Sequence, residues 1–233
     1  MKKIILPIMA VSMFVWQSCK QTSNNLMVNL QVSNNPQTQY AYLDLIELDA
    51  NPITMDSVKV TGSSMNVHLK GGALNQEALY RIRFEKDQYF LILVGDQTDV
   101  NIEFDWKKPD EYITNSAGSN SFKSLLAGFN NHLQEMDELK NQIQLKGEVM
   151  DSARVVLEQT FRNKAALTGN YLLKYADTTK AAAVAVYALG ISKNLVTADQ
   201  LSPVLKNISK RFPDLPKIKK IADAFQTLSL IHI

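Results

Sequence analysis

The chain has 233 residues, of which 45% are hydrophobic and 21% charged, with 25 basic and 23 acidic side chains and one cysteine. So balanced a charge gives a nucleic-acid partner no electrostatic support. One cysteine leaves no intrachain disulfide to form.

Lys2 and Lys3 open the chain, followed by the apolar run Ile4 to Val15 and then Trp16-Gln17-Ser18 before Cys19. A basic start, about a dozen apolar residues and a small residue before the cut describe a secretory signal. The run is shorter than the ~18 to 20 apolar residues that a spanning helix needs. A cysteine directly after such a segment resembles the lipobox of bacterial lipoproteins, with Ser18 in the small position and Trp16 departing from the usual Leu. That resemblance implies a diacylglyceryl group on Cys19, which becomes the first residue of the mature chain. Residues 1–18 are then the signal peptide, and residues 19–25 the lipidated cysteine and its tether. Lys2 and Lys3 leave with the signal, so 23 basic residues face 23 acidic ones and the formal charge falls from +2 to 0. Lipid on Cys19 also removes the thiol from redox chemistry and places the protein on an envelope membrane, anchored by its acyl chains. The polar tether Lys20 to Asn25 reaches about 20 Å when extended. It carries no acidic cluster of the kind that accompanies surface export in some envelope lipoproteins, which leans towards a periplasmic location.

From Leu26 to about Thr114 the hydrophobic period is two. Leu26, Val28, Leu30 and Val32 alternate with polar neighbours, as do Met65, Val67 and Leu69, then Tyr80, Ile82 and Phe84, then Val100, Ile102, Phe104 and Trp106. The pattern predicts strands with one buried and one wet face. Tyr89 to Val94 is apolar throughout and predicts a strand covered on both faces. Turn signals stand at Asn34-Asn35-Pro36, Asn51-Pro52, Thr61-Gly62, Gly71-Gly72, Gly95-Asp96 and Lys108-Pro109. Seven or eight such strands over residues 26–115 predict an antiparallel β-sandwich or small barrel.

After Asn115-Ser116-Ala117-Gly118-Ser119-Asn120 the period lengthens, and residues 119–227 are expected to be helical. Phe122, Leu125, Leu126, Phe129, Leu133, Met136 and Ile143 form the stripe of one long helix, expected to pack on its helical neighbours, with Gly147 near its end. A second helix is expected from about Glu148 to Tyr175 through Val149, Ala153, Val156, Thr160, Phe161, Ala165 and Leu172. Asp177-Thr178-Thr179 offers a cap for an Ala-rich third helix reaching Leu189 and stopped by Gly190. Thr197 with Gln200 fits a capping box; Ser202 before Pro203 is the alternative start. Pro213 and Pro216 precede a last short segment, Lys217 to Gln226. The fold class expected is therefore α+β, a sandwich followed by an all-helical region.

Residues 228–233, Leu-Ser-Leu-Ile-His-Ile, match the translation of a transposase adapter used in sequencing libraries. They are read as an artefact, with the natural protein continuing past Thr227.

No catalytic constellation emerges. His68 lies on the wet side of a strand, His132 beside Leu133 within the first long helix as a surface or boundary histidine, and His232 in the adapter-like tail. No zinc spacing, nucleophile elbow or phosphate-cradling loop is present, so catalytic, cofactor and metal residues are all predicted to be none. Asp99, Glu103 and Asp105 line one strand face and could hold a cation, although a solvated sheet face is the simpler reading. Glu135, Asp137, Glu138 and Lys140 read as an ordinary charged helix surface, and Arg81, Arg83 and Lys86 as a solvated basic strand face. Tyr40, Tyr42, Trp106 and Tyr112 are the aromatic candidates for a ligand or protein surface, each also fitting a core position.

The order of lipobox, short-stranded β domain, Gly-Ser-Asn junction and helices resembles the N-terminal portion of envelope lipoproteins that end in a TlpA- or ResA-like thioredoxin domain. The matching features are Met55-Asp56-Ser57-Val58, the strand ending at Gly71, Tyr89 to Gly95 with Asp99-Val100-Asn101-Ile102, Ala117-Gly118-Ser119-Asn120, and Tyr171 to Leu189. The family's Trp-Cys-x-x-Cys is absent, so no catalytic residue carries over and no cofactor is implied. The resemblance implies the non-catalytic front part of a membrane-anchored thiol-disulfide oxidoreductase, with envelope proteins as partners. The competing reading is a complete, thiol-free lipoprotein that binds glycans or proteins.

Overall fold

A computed structural model describes residues 24–47, 50–86, 89–145 and 152–213. Eight strands come first: β1 Asn25–Ser33, β2 Gln39–Ile46, β3 Ile53–Val60, β4 Ser64–Ala73, β5 Ala78–Phe84, β6 Phe90–Gly95, β7 Asp99–Asp105 and β8 Ile113–Thr114, with a 3-10 turn at Pro109–Glu111. Four helices follow: α1 Ala117–Leu145, α2 Ser152–Thr178, α3 Ala182–Ser192 and α4 Ala198–Arg211. The fold class is α+β, as the change of period predicts. Cys19, Gly147, the segment Lys217 to Gln226 and the tail 228–233 lie outside the described residues.

The strands form two four-stranded sheets, ordered β4-β1-β7-β8 and β3-β2-β5-β6. All pairings are antiparallel except β1 with β7, which run parallel from Met27↔Asp99 to Ser33↔Asp105. The connection between those two strands contains the whole second sheet, and parallel neighbours require such a crossover. The alternating residues turn inward: Leu26, Val28, Leu30, Val32, Val67, Leu69, Val100, Ile102 and Phe104 meet Ala41, Leu43, Ile82, Phe84, Leu91 and Leu93 in one core. Trp106 and Tyr112 belong to this core too. The Gly71-Gly72 pair is no turn. β4 runs through it to Ala73, and the register of β1 against β4 shifts between Leu26 and Met27. Gly72 supplies the left-handed φ of +77° at this bulge, a conformation that costs glycine little.

A second core joins the sandwich to the helices. Leu91 and Leu93 of β6 face the sandwich, whereas Val94, with Leu79, Ile92 and Ile46, packs against Phe122, Leu125, Leu172, Val184 and Leu189. The apolar run of β6 is therefore covered on both sides from Leu91 to Val94, whereas Phe90 at its start is 48% exposed on the outer face. The junction is fixed by hydrogen bonds at the Gly-Ser-Asn motif. Ser119 Oγ accepts the Val94 N–H at 2.8 Å, and Ser116 Oγ donates to the Val94 carbonyl at 3.1 Å while accepting the Ser119 N–H at 2.9 Å. Asn120 Nδ2 donates to the Thr114 carbonyl at 3.2 Å. Gly118 leaves no room for a side chain, because a Cβ there would lie 2.7 Å from Val94 Cγ1.

The helices differ from expectation in two places. Asp177 and Thr178 belong to α2; the N-cap of α3 is Ala181, which makes no side-chain cap. Gly190 lies inside α3, which continues to Ser192. Thr197 and Gln200 do form the capping box, so Pro203 sits within α4 rather than at its start. The stripe of α1 packs as expected, buried at Phe122 and Leu125, half-buried at Leu126, Phe129, Met136 and Ile143 and exposed at Leu133, whereas Val155, Val156 and Leu167 of α2 are exposed, Val156 at 64%. The distal halves of α1 and α2 pack on one another, where Lys164 pairs with Glu135, and meet solvent elsewhere.

Candidate functional site

The outer face of the β3-β2-β5-β6 sheet carries the most organised polar cluster. The register sets Tyr42 opposite Arg83, Asp44 opposite Arg81, and Arg83 opposite Phe90. Directly opposed residues share a face, so these side chains stand together. A register shift between Leu43 and Asp44 against β3 brings Thr54 opposite Asp44. Asp44 Oδ2 accepts from Arg81 Nη2 at 2.7 Å, Arg81 Nε at 3.1 Å and Arg83 Nε at 2.9 Å. Asp44 Oδ1 accepts the Thr54 hydroxyl at 2.7 Å. The carboxylate is 1% exposed although the sheet face is open to water, because the two arginine side chains lie across it. Burial alone would raise the Asp44 pKa, but the hydrogen bonds from Arg81, Thr54 and Arg83 outweigh it and hold the pKa below the ordinary 3.8.

Two positive charges on one carboxylate leave the cluster with a net positive charge. The rings complete it. Arg83 lies 3.9 Å above the Tyr42 ring, and Arg81 lies 6.0 Å from that of Phe90. Tyr40 follows Tyr42 at a centroid distance of 6.2 Å. Tyr40 is 39% exposed and Phe90 48%.

The predicted aromatic candidates thus divide. Tyr40 and Tyr42 stand on this face. Trp106 packs with Phe84 and Phe104 in the core, and Tyr112 is buried with its hydroxyl donating to the Ile92 carbonyl at 2.8 Å. Arg81 and Arg83 belong to the cluster, whereas Lys86 turns to the Thr38 carbonyl at 3.0 Å. Sequence reading passed over Asp44 and Phe90. Period two along Tyr40, Tyr42 and Asp44 already placed the acid on the tyrosine face; which cations would reach it depended on pairing β2 with β5.

The opposite sheet presents a polar face. His68 Nδ1 donates to Asn29 Oδ1 at 2.7 Å, and Asn29 Nδ2 donates to Asn101 Oδ1 at 2.8 Å. Asp99, Glu103 and Asp105 stand on this face, with Asn101 in the row between the first two. Asp105 is held by the Lys107 N–H and by Asn34 Nδ2, which lower its pKa. Among the described residues, no three His, Cys, Asp or Glu side chains converge into a metal-binding group.

A cleft of about 490 Å³ lies between sandwich and helices, lined by Glu77, Asp96, Gly118, Ser121, Tyr175 and Thr179 among others. Its two carboxylates serve helix starts: Asp96 Oδ2 accepts the Gly118 N–H at 2.7 Å and Glu77 Oε2 the Ala183 N–H at 3.2 Å. Burial pushes the Glu77 pKa up against the opposing pull of the Ala183 and Ala182 N–H groups. On the distal helices, His132 lies 5.1 Å from the Tyr171 ring, its pKa lowered by burial and by Lys164.

Among the described residues no helix is long and apolar enough to cross a membrane. Compared with family models, curated proteins and solved structures, the chain matches none.

Proposed function

We propose that the chain is the membrane-tethered, non-catalytic recognition part of an envelope lipoprotein whose thiol-disulfide chemistry resides in a TlpA- or ResA-like thioredoxin domain. Lipid on Cys19 anchors it, five residues lead from there to β1, which takes in the expected tether residue Asn25, and the sandwich presents a side-chain surface to partners in the periplasm. The observation that carries this reading is the junction. The Ala117-Gly118-Ser119-Asn120 motif, one of those that carry the resemblance, joins with Ser116 in the hydrogen-bonded lock between Val94 and the start of α1. It opens α1, the place that the resemblance expects of it. The reading expects metabolic labelling with palmitate to mark the protein, and Cys19→Ala to lose both the label and the membrane fraction. Unlabelled protein that still pellets with membranes after Cys19→Ala would refute the tether.

The arginine–aromatic face supports a second reading, a thiol-free lipoprotein complete as a binding module. Both readings give that face the same work. They differ in whether a redox domain follows it.

A further inference from the structure

We infer that the Arg81–Arg83 cluster with Tyr40, Tyr42 and Phe90 is a binding platform for a carboxylate-bearing oligosaccharide, an inference that rests on reading the chain as a recognition module. The guanidinium groups are already oriented. Arg81 spends Nε and Nη2 on Asp44, and Arg83 spends Nε on the same oxygen. Arg83 is further fixed by stacking on Tyr42 at 3.9 Å. One buried carboxylate thus holds two cations at the surface without neutralising both. Arg83 Nη2 also reaches the Thr54 hydroxyl at 3.5 Å, so an incoming carboxylate meets a positive charge on groups already held at little ordering cost, and arginine suits this planar, charge-assisted contact. Tyr40 and Phe90, both well exposed, flank the cations on strands β2 and β6. Their ring faces offer apolar area of the kind that stacks against the C–H face of a pyranose.

The place of the arginines in the sheet disfavours a peptide added as a strand across them. β2 and β5 are interior strands, paired on both edges. Their backbone groups are therefore committed, and strand addition is left to the edge strands β3 and β6. A glycan needs only the side chains that stand here.

The test uses the full chain and calorimetric titration with three probes at low salt: trigalacturonate, neutral maltotriose and an acidic peptide of matched charge. Trigalacturonate is expected to bind, maltotriose and the peptide not. Arg83→Gln is expected to weaken trigalacturonate binding by about tenfold or more, and Phe90→Ala to weaken it by a smaller factor. Phe90 is half exposed, so this second variant keeps the test valid should Arg83→Gln unfold. No binding of trigalacturonate to folded wild type, equal binding by both variants, or binding of the peptide as tight as the sugar would each overturn the assignment. Such a failure is distinct from failure of the tether, which the Cys19→Ala fractionation reads independently.

Discussion

The sandwich and the distal halves of α1 and α2 are built on opposite terms. In the sandwich, Leu26, Val28, Leu30 and Val32 of β1 are all buried in the core shared with the facing sheet. In the distal helices, among the described residues, each helix packs chiefly on the other, and Leu133, Val155, Val156 and Leu167 are exposed. Apolar area removed from water is the main stabilising term in folding. A hydrophobic residue therefore carries different weight in the two regions, although the sequence writes it with the same letters.

That contrast can be broken at several points. The largest effect is expected at Phe104, whose ring sits 5.4 Å from Phe84, 5.8 Å from Tyr89 and 5.1 Å from Trp106. Phe104→Ala should cost about 3–5 kcal/mol in denaturant unfolding; a loss below 1 kcal/mol would mean that the sandwich core is looser than described. The junction comes next. Gly118→Ala drives a methyl into Val94, and Ser119→Ala strands the buried Val94 N–H. Each should lower stability by about 1–3 kcal/mol, and a value near zero would detach the helices from the sandwich energetically.

Thr197→Ala removes one half of the capping box of α4 and should cost about 1 kcal/mol. Leu133→Ala and Val156→Ala on the distal helices should stay within about 0.5 kcal/mol, and a cost matching that of Phe104→Ala would show that this face is covered in solution. Acid titration sharpens the same comparison. Asp44 has its folded pKa below the ordinary 3.8, so its contribution is complete above that value and is lost as pH falls through the folded pKa. Asp44→Asn should flatten the acid limb of the stability curve. A limb as steep as that of wild type would assign the acid sensitivity to other carboxylates.

Much of the sandwich could be read from side-chain alternation because period two is a local consequence of the strand. The double cover of β6 from Leu91 to Val94 could be read as well, since that run has no polar side to offer, but the exposure of Phe90 at its start could not. The parallel pairing of β1 with β7 could not, because it is decided by residues some seventy positions apart. α3 shows a different limit. It is buried on nearly every side, so it carries no amphipathic stripe to mark its ends. A carboxylate from Glu77, 106 residues earlier, meets the N–H groups at its start. Gly190 and Asp177 are locally reasonable punctuation that this tertiary packing overrides. At the candidate site, alternation put Tyr40, Tyr42 and Asp44 on one face and Arg81 and Arg83 on another. Only the β2–β5 register made them one cluster.

The most direct test of the account is to read the source locus past the codon for Thr227. The account predicts an open frame that replaces residues 228–233 and runs on into a Trp-Cys-x-x-Cys motif, with the Gly-Ser-Asn junction and the arginine–aromatic face upstream of it. A stop codon after Ile233 at the intact locus would contradict it, and would leave the chain as a thiol-free binding lipoprotein.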